Sequence, residues 1–134
     1  MLNVLIVEDT ATFRMMVRQQ LLSMGMAKVH VASDGAEALQ ILKNNKDIDL
    51  VISDWHMAPM DGLTFCGMIQ QTPALRGRQT PVIFMTADAK LADEEKRAKV
   101  LAASAHLGII AILPKPFTQE QLRQALSVGG GVAL

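Results

Sequence analysis

The sequence predicts an α/β fold, a doubly wound five-stranded parallel sheet with helices on both faces. Three observations predict it. Five short runs are almost continuously apolar, an amphipathic stretch follows each run, and acidic, hydroxyl or basic residues stand where the runs end. Strands that lack polar alternation are buried on both faces, and helical crossovers make neighbouring strands parallel. A chain of 134 residues has the size of one domain with one sheet.

Each element has its own signal. Residues 4–7 (Val4, Leu5, Ile6, Val7) form the first strand. Phe13, Met16, Val17, Leu21 and Met24 then recur at helical spacing up to Gly25, with Met16 and Met24 expected in the core. Residues 28–32 supply the second strand, and Asp34-Gly35 opens a second helix with Ala38, Leu39 and Leu42 inward. The third strand is at residues 50–52, and a helix over residues 63–69 stops before Pro73. The fourth strand, residues 82–85, leads to a helix over residues 91–107 with Ala98, Leu101, Ala102 and Ala105 on its inner face. Its charged start pairs Asp93 with Arg97 and Glu95 with Lys99 at i,i+4. After the fifth strand, residues 109–113, Thr118 caps a last helix reaching about Ser127. The glycines at 129, 130 and 131 then free the end, giving a domain over residues 1–128 and a short flexible tail over 129–134.

Composition narrows the function. The chain is 50% hydrophobic and 19% charged, so it can bury a core rather than stay disordered. Thirteen Lys+Arg balance thirteen Asp+Glu, for a net charge of zero, which argues against capture of nucleic acid or an anionic membrane. A lone cysteine, Cys66, can close no intrachain disulfide and is expected to be a reduced packing residue. The apolar run at residues 109–113 is far too short for a membrane span. The opening run ends at Glu8-Asp9 with no basic stretch before it, unlike a secretory signal, so a cytoplasmic domain is expected.

Open sheets of this kind bind ligands beyond the carboxyl ends of their strands. Those ends carry Glu8 and Asp9 after the first strand, Asp54 after the third, Thr86 after the fourth and Lys115 after the fifth. Three carboxylates facing one lysine resist ionising together unless another cation joins them. A hard divalent ion meets that need, and Mg²⁺ prefers oxygen ligands and is commonly shared with a phosphate.

Here the sequence resembles the receiver domain of two-component response regulators, above all the single-domain chemotaxis type. The resemblance runs from about Asn3 to Ser127 and rests on Glu8-Asp9, Asp54, Met60-Asp61-Gly62, Thr86-Ala87 and Lys115-Pro116-Phe117, in order and on the right elements. It implies the flavodoxin-like strand order 2-1-3-4-5, the order for which chemotaxis regulators are a known example. It further implies that Asp54 accepts a phosphoryl group from a histidine kinase or a histidine phosphotransfer protein. Glu8, Asp9, Asp54 and the backbone carbonyl of His56 would hold Mg²⁺, Thr86 would hydrogen-bond a phosphoryl oxygen, and Lys115 would pair with its charge. Pro116 matches the family's cis-proline. The implied protein is a phosphorylation switch, not an enzyme turning over a metabolite, and its state would be read by a downstream protein on the surface of the fourth helix, fifth strand and fifth helix. A monomer or weak dimer is expected.

Three departures qualify the resemblance. Ile112 stands where the family usually has a rotating Tyr or Phe. Ala58 occupies a position where Pro is common, with Pro59 following. Thr86 and Lys115 lie 29 positions apart, roughly seven more than the family's common spacing, or about two helical turns. The extra residues are expected to lengthen the fourth helix at its charged start and to select a partner other than a flagellar motor. His56 and Asp88, each two positions beyond a site residue, are candidates for tuning acyl-phosphate hydrolysis. His30 and His106 are expected at the surface or its boundary, and Arg14 and Arg18 on a solvated face.

Other functions fit less well. Aspartate-dependent phosphatases place the nucleophile just after the first strand with a second Asp two positions on, and Glu8-Asp9-Thr10 lacks that pattern. A flavin carrier needs a phosphate loop after the first strand, where two carboxylates would repel it. A degenerate receiver, binding partners without phosphorylation, is the remaining alternative.

Overall fold

The computed structural model describes residues 2–25, 28–56, 60–75 and 80–128. Strands and helices alternate as β1 (Asn3–Val7), α1 (Ala11–Ser23), β2 (Lys28–Ala32), α2 (Gly35–Asn44), β3 (Leu50–Asp54), α3 (Gly62–Gln71), β4 (Val82–Thr86), α4 (Glu94–Ser104), β5 (Ile109–Pro114) and α5 (Gln119–Val128). Short 3-10 turns lie at Pro73–Leu75, Ala89–Ala92 and Ala105–Leu107. The strands pair in parallel in the order β2-β1-β3-β4-β5, the expected topology. β3 and β4 are buried along their whole length, which is why their sequences carry no polar alternation.

The core has two layers. On one face of the sheet, Leu5, Val51 and Phe84 meet Ala38, Leu39 and Leu42 of α2 and Phe65 and Cys66 of α3, with Val100 and Leu101 of α4 packed against them. On the other, Ile6, Ile52 and Ile83 meet Val17 and Leu21 of α1 and Leu122 and Leu126 of α5. Ile112 sits beside Phe84 in the first layer and is buried, so the aliphatic side chain fills core space. The β4–β5 register shifts at Val82/Ile83, leaving Ile110 as the extra residue.

Local chemistry sets the helix ends. Asp34 and Asp61 accept from the backbone N–H groups of Glu37 and Thr64, each at 2.8 Å, capping α2 and α3. At α5, the Thr118 hydroxyl accepts from Gln121 N–H at 3.1 Å while the Gln121 side chain accepts from Thr118 N–H at 2.8 Å, a reciprocal capping box. Gly108, at φ +83°, ends the turn after α4 in the left-handed region and feeds β5. Gly62 is needed for a different reason. A Cβ there would overlap the Phe84 ring, so the first turn of α3 can lie against β4 only without a side chain.

Four expectations need correction. Met16 is 36% exposed, because Val17 and Leu21 take the inward positions of α1. The fourth helix does not run from residue 91 to 107. Asp88 and Asp93 both sit in extended backbone and accept from Lys90 and Lys96 N–H groups, so the stretch after β4 breaks into a 3-10 turn and a fresh helix start. The inward face of α4 is Val100, Leu101 and Ser104, while Ala98, Ala102 and Ala105 are exposed. Asp93, used as a cap, does not pair with Arg97. The Arg97 guanidinium instead donates to the carbonyls of Leu91 and Ala92 at 3.0 and 2.8 Å. Glu95 and Lys99 do approach, at 3.8 Å. Ala58, Pro59 and the tail at 129–134 lie outside the described residues.

Candidate functional site

The carboxyl ends of β1, β3, β4 and β5 converge at the point where the chain's winding reverses, between β1 and β3. Backbone bonds fix each end. Glu8 N–H donates to Ala32 of β2 at 3.0 Å, Trp55 N–H to Met85 of β4 at 2.8 Å, and Lys115 N–H to Thr86 at 2.7 Å. The Lys115–Pro116 peptide is cis, as expected.

Glu8, Asp9 and Asp54 each present an oxygen within 4.8 Å of the others. Glu8 and Asp54 are buried and Asp9 is exposed, so the cluster opens to solvent on one side. The Lys115 ammonium lies 2.8 Å from Glu8 Oε2 and 3.3 Å from Asp54 Oδ1, bridging two of the three acids. Burial pushes the Glu8 carboxyl above its ordinary 4.5, and nearby Asp54 adds to that; bonds from Lys115 and Thr10 N–H offset part of it. Buried carboxylates this close, answered by one ammonium, are short of positive charge. Three oxygen donors with a solvent opening fit a hard divalent cation that keeps some waters. The imidazole of His56 is not among the grouped ligand atoms, and His56 is exposed just beyond Trp55.

Thr86 is fully buried, and its hydroxyl accepts from Asp88 N–H at 3.0 Å. Asp88 is thus tied to the site through its backbone. Asp61, by contrast, does capping work. Bonds from Thr64 hold its carboxyl below the usual 3.8, so the Met60-Asp61-Gly62 motif positions α3 rather than joining the acid cluster.

Two supports escaped the sequence reading. Arg14, expected on a solvated face, donates from Nη1 to the Glu8 carbonyl at 2.7 Å and braces the acidic turn. Phe13 lies 4.3 Å beneath the Lys115 ammonium and meets Phe117 edge-on at 5.7 Å, so one aromatic ring, itself backed by a second, faces the lysine's charge. The available signal was position: both residues lie in the first turn of α1, directly after Glu8-Asp9. Cys66 is buried, as expected, and His30 lies at the boundary with a buried Nε2.

A parallel sheet with an acid cluster, a buried threonine and a lysine at four strand ends defines a receiver. Residues 4–127 match the response regulator receiver domain family, and the chain belongs to it. Within that family it is chemotaxis-like. It is 34% identical to chemotaxis protein CheY-3 of Vibrio cholerae over 125 residues, 93% of this chain and 88% of that one. It is 30% identical to CheY1 of Helicobacter pylori over 127 residues, 95% of each. Among solved structures, CheY4 of Vibrio cholerae superposes with a TM-score of 0.74 at 28% identity, covering 95% of this chain and 97% of that one. The receiver domain of sensor histidine kinase PA1611 from Pseudomonas aeruginosa, a structure with magnesium coordinated in its active-site cleft, gives 0.75 at 25% identity over 96% of each. The protein is a component of two-component signal transduction. No described helix is long and apolar enough to cross a membrane.

Proposed function

We propose that residues 1–128 act as a phosphoacceptor switch, with Asp54 taking a phosphoryl group from the phosphohistidine of a kinase or phosphotransfer protein. The observation that carries this reading is the Lys115 ammonium 3.3 Å from Asp54, inside a carboxylate group that spans 4.8 Å. An Asp54 oxygen attacks phosphorus in line as the P–N bond breaks, and the donor imidazole leaves with that electron pair. Glu8, Asp9, Asp54 and the carbonyl of His56 would hold Mg²⁺, which when bound offsets negative charge on the phosphoryl oxygens. Lys115, already beside Asp54, pairs with the incoming charge, and the Thr86 hydroxyl donates to one phosphoryl oxygen while Asp88 N–H still supports it.

Phosphorylation then shifts a two-state balance that a partner reads. The likeness to chemotaxis protein CheY-3 over 93% of this chain supports a receiver of that type. A groove between α4, β5 and α5, lined by Ala98, Leu101, Ile110, Gln121 and Gln124, supports the expected output surface. The reading is of a cytoplasmic monomer or weak dimer that modifies itself rather than a metabolite.

The test follows Trp55, next to Asp54, during Mg²⁺ titration and then addition of acetyl phosphate or beryllofluoride. Intact mass under acid quench is read on the same samples. The expected result is a Mg²⁺-dependent signal and one phosphoryl mass increment, the increment absent from Asp54→Asn. No increment and no signal in the wild type would favour the degenerate receiver.

A further inference from the structure

Helix α4 has a second groove, on the side away from α5. Its floor is Trp55, Leu91 and Val100, its walls are almost wholly apolar, and Lys90, Lys96 and Lys99 stand around it, enclosing about 420 Å³. Leu91 belongs to the 3-10 turn Ala89–Ala92 and is buried, so that turn itself builds part of the groove. Among the described residues, the Lys90 and Lys96 ammoniums have no carboxylate within ion-pair distance, and Lys99 meets only exposed Glu95 at 3.8 Å. Among the described residues of the lining, Asp88 is the only acid, leaving the rim net positive. The opposite groove takes Glu94 and Arg97 from the same helix. The two faces of α4 therefore differ in charge as well as position.

We propose that this groove docks an acidic peptide segment carrying one apolar anchor, and that it reads the state of Asp54. The charge complement requires carboxylates on the partner, and a concave floor with room for one or two side chains favours a peptide anchor over a flat lipid surface. The coupling half rests on the phosphoacceptor reading above. Its route is short: Asp88 N–H bonds the Thr86 hydroxyl, while Asp88 holds Lys90 N–H by its side chain and Leu91 N–H by its carbonyl, at 2.9 and 3.0 Å. A movement of Thr86 toward a phosphoryl oxygen carries the groove's wall with it.

The experiment selects a random 12-residue peptide display library on the full chain, with counter-selection on a variant carrying Lys90→Glu, Lys96→Glu and Lys99→Glu. These side chains are exposed, and circular dichroism verifies the variant's fold. Enriched peptides should carry net negative charge and a Leu, Ile, Phe or Trp, change Trp55 fluorescence, and bind the variant at least tenfold more weakly. Val100→Arg, which blocks the groove while leaving its three lysines in place, should also abolish binding. Enrichment of neutral peptides, survival of binding in both variants, or amide shifts confined to Ala98, Leu101 and Gln124 would overturn the site. The selected peptide is then titrated with and without Mg²⁺ and acetyl phosphate, where at least a threefold change in affinity, absent from Asp54→Asn, is expected. A mass increment on Asp54 without that change overturns the coupling. Peptide binding with no increment upholds the groove and overturns the phosphoacceptor reading instead.

Discussion

Glu8 and Cys66 are both perturbed by burial, with opposite relevance to function. On the proposed Mg²⁺ site, the ion would have to displace the proton that burial helps Glu8 retain, so its affinity should decline with acidification. The decline should begin above the ordinary 4.5 and steepen toward about tenfold per pH unit. Trp55 fluorescence in Mg²⁺ titrations at successively lower pH checks this; a decline that starts only below that value would remove Glu8 from the ion's site. Cys66 lies in the core layer beneath α3, and burial pushes its thiol up to about 12. The folded-state value lies above the ordinary 9.0, so the contribution of the neutral thiol is complete below pH 9.0 and lost as pH climbs toward about 12. At neutral pH a thiol reagent should label the native protein no faster than it unfolds, which stopped-flow labelling against unfolding rates will measure.

At the scale of elements, the departures from expectation concentrate in α4. Alanine tolerates core or solvent equally, so Ala98, Ala102 and Ala105 gave a false face, whereas the true contacts come from Val100 and Leu101. Asp88 and Asp93 each precede the N–H groups they bond, a capping signal legible in the sequence but masked by the attractive i,i+4 pairing of Asp93 with Arg97. Asp93→Ala should therefore destabilise the protein by about 1 kcal/mol in urea denaturation, through loss of the cap. Gly62→Ala should cost more, about 1–3 kcal/mol, because Phe84 is fully buried and stacked edge-on against Trp55 at 5.0 Å and cannot yield. The same denaturation series, followed by Trp55 emission, reads both.

For the whole molecule, alternating apolar runs and helical periods foretold the sheet, its two covered faces and the site's place at the strand ends. Periodicity carries no information on which strand lies beside which, so the order came from motif resemblance. Nor does it reveal contacts such as Arg14 to the Glu8 carbonyl, which depend on how a helix start folds back over a strand end. Charge balance is itself a handle. The chain has net charge zero, and a phosphoryl group adds about 1.5–2 negative charges. Native isoelectric focusing should then move the phosphorylated form below the sequence pI of 6.8, while Asp54→Asn treated alike stays in place. The bond from Lys115 N–H to the Thr86 carbonyl extends the β4–β5 ladder one rung past the strand end, up to the brink of the solvent-facing cleft. That amide should consequently exchange with deuterium as slowly as those of the sheet interior, although Pro116 beside it is exposed, so that part of the site's floor opens only when the sheet does.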